Sequence, residues 1–161
     1  MNFDDAFDRL IGHEGGYSNH KDDPGRETMW GVTHDTAKRN GYFGDMKAMP
    51  VEFAKKIARR SYWDAVRADE MPSAIRFDLF DGAYNSGTKQ AIKWLQRAVY
   101  TDDDGVIGPK TLVAANTYSP VAIVARYNGH RLQMMADLKT WPVFGRGWAR
   151  RVSANLIEMK G

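Results

Sequence analysis

The sequence contains no cysteine, so a disulfide scaffold and a thiolate metal site are excluded. It has no stretch that approaches the roughly 20 apolar residues of a membrane-spanning helix. Its four histidines form no metal-ligand motif, and it contains neither a glycine-rich phosphate loop nor a Gly-x-Ser-x-Gly element. We therefore expect no bound metal and no cofactor.

Acidic and basic residues nearly balance, which leaves a formal net charge of +3 over 161 residues. This mild basicity suits an anionic partner such as nucleic acid, acidic lipid or cell wall, but it does not choose among them. The first ten residues have no basic start, apolar core or small-residue cleavage site, so we expect no secretory signal. The length predicts a single unit rather than two independently folding domains.

Residues 3–13 are predicted to form an amphipathic helix, because their apolar residues recur every three or four positions. Asn2 can cap its start. Gly15 and Gly16 are expected to end it, since glycine readily adopts the positive φ of helix ends. Glu14 therefore falls at the helix end, beside an apolar stripe.

Residues 17–33 follow a different pattern, with turn-forming residues at 22–25 between residues that favour strands. We interpret this segment as an irregular loop with a small β-hairpin. The remaining chain is predicted to be mostly helical. Helix starts are indicated by Pro50, Pro72, Pro109 and Pro120, and the end of one helix by Gly41. The predicted helices are 34–40, 51–64, 72–85, 88–100, 109–116, 120–139 and 147–159.

Hydrolysis of a glycosidic bond requires two carboxyl groups in different surroundings, one protonated and one ionised. Glu14 is the candidate acid, because desolvation beside the apolar stripe would raise its pKa. Asp22 and Asp23 are both candidates for the ionised partner, since their polar turn favours charge. A hairpin could place either across a cleft from Glu14, and the Thr28 hydroxyl could hold a water there.

Two sets of motifs lie in order and at sensible spacing over nearly the whole chain. The first comprises His-Glu-Gly-Gly-Tyr at 13–17, Asp-Pro-Gly at 23–25, Thr28, and Trp-Gly-Val-Thr at 30–33. The second comprises residues 81–87, Ala91, and residues 94–96, 104–109 and 111–112. Together they resemble the motifs of glycoside hydrolase family 108, which contains phage endolysins and N-acetylmuramidases, and the second set is similar to a region described as a predicted peptidoglycan-binding domain. Arg26 departs from the family, which commonly has glycine there.

This resemblance implies a lysozyme-like, bilobed α+β fold that is predominantly helical, with a small β-hairpin next to the catalytic helix. Residues 1–70 would carry the catalytic helix and hairpin, and residues 71–161 a helical lobe. It implies hydrolysis of the β-1,4 bond between N-acetylmuramic acid and N-acetylglucosamine, with Glu14 as acid, Asp23 as second carboxylate and Thr28 positioning water. Spacing keeps Asp22 open as the alternative to Asp23.

A glycan cleft also needs aromatic faces for sugar rings and amides for hydroxyl and N-acetyl groups. The candidates for these contacts are Tyr17, Trp30, Tyr84, Asn85 and Gln96. For Asn85 the alternative is a helix cap, and for Gln96 it is a solvent-facing position. Arg146, Arg150 and Arg151 are interpreted as a solvated helix face rather than a binding patch.

The expected partner is bacterial peptidoglycan, with no nucleic acid and a monomeric state. As an endolysin, the enzyme would stay in the host cytoplasm until another factor released it to the cell wall. Two other classes remain open: a non-catalytic peptidoglycan-binding module, and an antibacterial protein that contacts membranes through basic helix 147–159. A lytic transglycosylase is a third, closer alternative.

Overall fold

The computed structural model describes residues 1–14, 16–19 and 27–159, without the side chains of residues 13 and 14. Within these ranges the chain forms eight α-helices and three short strands, which confirms the expected predominantly helical α+β class. Two compact units are present: an N-terminal unit of residues 2–61 and a C-terminal unit of residue 1 with residues 62–161. The functional division expected at residue 70 stays a prediction.

Helix α1 spans Phe3–Glu14 and carries the predicted apolar stripe, since Phe3, Phe7 and Leu10 are buried. Asn2 caps it as expected, because its Oδ1 accepts the backbone N–H of Asp5 at 2.9 Å. Helix α3, Val51–Ala58, contacts it through an ion pair between Lys55 Nζ and the Asp4 carboxylate at 2.6 Å. These contacts fix the helix whose last residue is Glu14.

A three-stranded antiparallel sheet follows α1, in the order β1, β2, β3. Its strands are β1 Tyr17–Asn19, β2 Glu27–Met29 and β3 Val32–Thr33. The sequence predicted a single small hairpin, and the third strand is an addition. It forms because Trp30 and Gly31 both have positive φ, +54° and +74°, as in the type I′ turn whose twist matches paired strands.

Helix α2, His34–Arg39, completes the described part of the N-terminal unit together with α3 and a 3-10 turn at Met46–Ala48. Thr33 caps α2, since its Oγ1 accepts the backbone N–H of Thr36 at 3.2 Å. Gly41 follows the helix with a φ of +90°, in agreement with the predicted stop. The chain then leaves α3 through a π-helical turn at Arg59–Trp63.

The C-terminal unit is built on α4, Ser73–Ser86, which packs against α5 and α7. Helix α7 also contacts α5, α8 and α6, so it lies at the centre of this helical assembly. The other helices are α5 Thr88–Ala98, α6 Pro109–Thr117, α7 Pro120–Ala136 and α8 Trp141–Ile157. Pro50 and Pro72 immediately precede helices, and Pro109 and Pro120 occupy first turns, as the sequence predicted.

Helix α8 begins six residues earlier than predicted, at Trp141 instead of residue 147. Pro142 lies in its first turn, where a missing N–H is tolerated. A Cβ at Gly145 would lie 2.5 Å from the Trp141 ring. The glycine therefore makes room for an indole on the helix surface. No helix in the described part of the chain is long and apolar enough to cross a membrane.

Candidate functional site

Glu14 is the last residue of α1, at the end of the helix where backbone carbonyls carry partial negative charge. That position favours the protonated form of a carboxyl group. Gly16 follows with a φ of +102° and turns the chain into β1. The Glu14 side chain, and all of Asp22 and Asp23, lie outside the described residues, so the carboxylate pair stays a prediction.

Thr28 is the middle residue of the central strand β2, paired with Ser18 on β1 and Thr33 on β3. Directly paired residues on neighbouring strands point to the same face of a sheet. Three hydroxyl groups therefore form a row across one face. The Thr33 hydroxyl caps α2, which leaves Ser18 and Thr28 in the row as the groups suited to orient a water or a sugar hydroxyl.

Tyr17 lies on the opposite face and is 38% exposed. Its hydroxyl donates a hydrogen bond to the Glu27 carboxylate at 3.0 Å, and Lys47 Nζ lies 4.9 Å from its ring centroid. Partial desolvation and the Glu27 hydrogen bond raise the pKa of the Tyr17 hydroxyl above its usual value. The ring is thus held by polar groups at the surface.

Trp30 occupies the first position of the turn between β2 and β3. Its indole N–H donates to the Met49 carbonyl at 3.0 Å, which anchors the turn to the segment before α3. A bulky residue at positive φ is an outlier, and such backbone strain clusters at functional sites. The structure thus places Tyr17 and Thr28 on opposite faces of one small sheet and Trp30 in its turn, so these candidates share an element but not one surface.

Tyr84 and Asn85 belong to the last turn of α4, in the C-terminal unit. The Tyr84 ring is half-buried and packs with Tyr62 at 4.7 Å and Phe80 at 6.0 Å between centroids. Asn85 is exposed, and its Nδ2 donates to the Asp81 carbonyl at 2.7 Å. The Asn85 amide therefore has a fixed orientation, whereas the role of both residues in glycan binding stays a prediction.

The structure corrects the assignment of Gln96 as a glycan contact. Its side chain is buried, and its amide forms hydrogen bonds within the C-terminal unit. Its Nε2 donates to the Asp104 carboxylate at 2.7 Å and to the Val106 carbonyl at 3.0 Å. Its Oε1 accepts the Gly105 N–H at 2.8 Å. Gln96 therefore anchors the loop after α5 and has no amide group left for a sugar.

A buried ionic centre in the C-terminal unit was missed by the sequence reasoning. The fully buried Asp81 accepts hydrogen bonds from Arg131 at 2.6 Å and from Arg151 at 2.7 and 2.5 Å. The side-chain amides of Asn155 and Asn85 add bonds at 3.0 and 3.3 Å. Burial alone would raise the pKa of Asp81, but the two guanidinium groups outweigh it and hold that pKa well below its usual range.

This centre also corrects part of the interpretation of the arginine cluster. Arg146 and Arg150 are exposed on α8, as expected for a solvated face, but Arg151 points inward to Asp81. The available signal was the position of Asp81 within a helical run of apolar residues, where a carboxylate needs buried partners. In the described part of the chain, no three His, Asp or Glu side chains group closely enough to hold a metal ion.

Comparison with known proteins agrees with the two-part organisation of the motifs. Residues 7–87 match the family described as Glycosyl hydrolase 108, and residues 90–153 match one described as Predicted Peptidoglycan domain. Twelve chains of solved structures match. One is SagA of Brucella abortus, with 35% identity and a TM-score of 0.89 over 96% of this chain and 91% of that chain. No curated protein sequence matches.

Proposed function

Because the chain belongs to glycosyl hydrolase family 108, we propose that this glycoside hydrolase cleaves the β-1,4 bond between N-acetylmuramic acid and N-acetylglucosamine. The family and the lysozyme-like fold agree with the resemblance in the sequence motifs, and the matched peptidoglycan domain makes it a peptidoglycan-active protein. Its proposed biological role is that of a phage endolysin that lyses host cells.

The observation that carries the proposal is the family match over residues 7–87, which includes the end of α1 and the entire sheet. Glu14 closes a helix whose apolar face is buried, at the end where the helix dipole disfavours a negative charge. The helix end disfavours the charged form of a carboxyl group, and desolvation beside the apolar stripe would disfavour it further. Glu14 is therefore suited to the part of general acid.

In the proposed reaction, Glu14 gives its proton to the glycosidic oxygen while the bond from that oxygen to the sugar C1 breaks. A water adds to C1 and loses a proton. Asp23, or Asp22 in its place, accepts that proton or stabilises the positive charge that develops on the sugar. Thr28 lies in the hydroxyl row of the sheet and orients the water. A carboxyl separation of about 6.5–9.5 Å would give inversion at C1.

The direct test is mass spectrometry of fragments released from purified peptidoglycan, together with an assay of new reducing ends. We expect Glu14→Gln to reduce the rate at least ~100-fold, as loss of a general acid does. Glu52→Gln removes an exposed carboxylate on α3 and serves as the matched control with unchanged rate. Asp22→Asn beside Asp23→Asn identifies the second carboxylate by the larger loss.

A different acid, a lytic transglycosylase and a non-catalytic module each give a different result in this experiment. Full activity of Glu14→Gln would refute its role as acid. Anhydro-muramic products from the unmodified enzyme would identify a lytic transglycosylase. Binding to the wall without any release of reducing ends would identify a non-catalytic module.

A further inference from the structure

Tyr100 occupies a backbone position where glycine is the usual residue. Helix α5 ends in a Schellman motif: the Thr101 N–H donates to the Gln96 carbonyl at 2.9 Å, and the Tyr100 N–H donates to the Arg97 carbonyl at 3.3 Å. The residue in the left-handed position is Tyr100, with a φ of +57°. Glycine is preferred there because a Cβ strains the backbone. The Tyr100 side chain is nevertheless 69% exposed, so burial of its ring does not account for the strain.

The Tyr100 ring is held in place by one neighbouring ring and one cation. Tyr118 packs edge-on against it, with 5.8 Å between centroids. The Arg126 guanidinium lies 4.8 Å from the Tyr100 centroid and 5.6 Å from that of Tyr118. Arg126 is itself fixed, because its Nε–H donates to the Ala98 carbonyl at 2.6 Å. Two exposed tyrosine rings are therefore preorganised at the surface.

An apolar groove of about 510 Å³ continues from Tyr118 along α6. Val113 forms part of its wall and is 67% exposed, while Lys110 adds a cation at the surface. The complete lining is Pro109, Lys110, Val113, Ala114, Thr117 and Tyr118. Rings, apolar groove and cation all lie in the C-terminal unit, so no other part of the chain is needed to build this surface.

We propose that Tyr100, Tyr118 and the adjoining groove, here called the tyrosine platform, are a peptidoglycan-binding site made by the C-terminal unit alone. The apolar faces of sugar rings suit the tyrosine rings, and the carboxylates of muramic acid and of the stem peptides suit Lys110. The match described as Predicted Peptidoglycan domain, residues 90–153, covers every residue of the platform. The proposal rests on the proposed function in one respect, that the ligand is peptidoglycan.

The test measures affinity for purified peptidoglycan sacculi in a Glu14→Gln background, so that the wall is not digested during binding. Tyr118→Ala removes one ring, and Tyr100→Asn removes the other with a residue that tolerates the left-handed backbone. We expect each change to lower the affinity about tenfold, the effect of losing an aromatic anchor. Phe43→Ala removes an aromatic residue that is 80% exposed in the N-terminal unit, and it is the matched control with unchanged affinity.

Thermal unfolding followed by circular dichroism verifies that each variant is folded at the assay temperature. Unchanged affinity of both folded tyrosine variants would overturn the proposal. A change in sedimentation, with unchanged affinity, would also overturn it, because the surface would then serve a second copy of the chain. Failure of the proposed function is a different result: the unmodified enzyme would release no reducing ends, whatever the variants do to binding.

Discussion

Glu14 in the N-terminal unit and Asp81 in the C-terminal unit are both acidic residues of the motifs, but they occupy different positions in their helices. Glu14 ends a helix, where the last backbone carbonyls carry partial negative charge. Asp81 lies in the middle of a helix, fully buried, with two guanidinium groups and two amides donating to it. The first position favours a protonated acid, and the second holds an ionised one.

Under the proposed function, this difference separates the general acid from a structural carboxylate. A general acid must keep a proton that it can release, which requires desolvation without a compensating cation. Asp81 is desolvated, but Arg131 and Arg151 neutralise it, so its pKa is held well below the usual range. Asp81 instead connects α4 to α7 and α8, and it also fixes Asn85 through a hydrogen bond.

Replacing Asp81 with Asn is expected to produce the largest loss of stability. The change leaves two buried guanidinium groups without a counter-charge, which costs about 3–5 kcal/mol when one partner of a buried pair is removed. Urea unfolding monitored by circular dichroism measures the loss. Asp102→Asn, at an exposed loop position, is the control. A free energy of unfolding that stays the same in Asp81→Asn would show that the ionic centre does not support the fold.

The ionic centre around Asp81 also predicts how the free energy of unfolding depends on pH. The folded-state pKa of Asp81 is depressed, so its contribution is present above the unfolded-state value of about 3.9 and is lost as pH falls toward the folded-state pKa. The stability difference between the unmodified enzyme and Asp81→Asn should therefore narrow below about pH 4. Unfolding curves collected from pH 6 downward test this, and a difference independent of pH would contradict it.

Gln96→Leu tests the correction made at that residue. The change removes the acceptor for the Gly105 N–H and the donor to Asp104, so we expect a loss of about 2–3 kcal/mol from unpaired buried groups. Hydrogen exchange at the Gly105 amide should accelerate. Gln133→Leu, at an exposed position on α7, is the control. Weaker peptidoglycan binding with unchanged stability would restore Gln96 as a glycan contact.

Trp30→Phe should have the smallest effect of these changes. The change keeps an aromatic ring in the turn but removes the indole N–H that donates to the Met49 carbonyl. We expect the loss of this hydrogen bond to lower the free energy of unfolding by about 1 kcal/mol. The free energy of unfolding from urea titration measures it. A gain in stability would indicate that the indole, rather than the positive φ of this residue, is the source of strain in the turn.

The regular parts of the fold were predictable because their signals are local. The apolar stripe of α1, the Asn2 cap and the prolines at helix starts depend on neighbouring residues alone. The third strand and the early start of α8 were missed although they are local, because a tryptophan at positive φ and a glycine that makes room for Trp141 run against the usual preferences of these residues. The Asp81 centre depends on Arg131 and Arg151, which are distant in the sequence, and spacing does not reveal it.

The candidate site residues also divide into those that local patterns indicate and those whose role depends on the three-dimensional structure. Glu14, Thr28 and the turn aspartates were selected from local patterns and a family resemblance, and their roles stay predictions. Gln96 was misassigned because its position in the helical sequence pattern is the same whether its side chain faces a glycan cleft or the loop that follows α5. The three-dimensional position of Asp104 and Gly105 beside it distinguishes the two.

The most direct test of the account measures activity and stability together in Glu14→Gln and Asp81→Asn. Release of reducing ends from peptidoglycan and the melting temperature are recorded for both variants, with activity measured below the melting temperature of each. We predict that Glu14→Gln loses activity at an unchanged melting temperature, and that Asp81→Asn melts lower but stays active while folded. An inactive, fully folded Asp81→Asn beside an active Glu14→Gln would contradict the assignment of catalysis to the N-terminal unit.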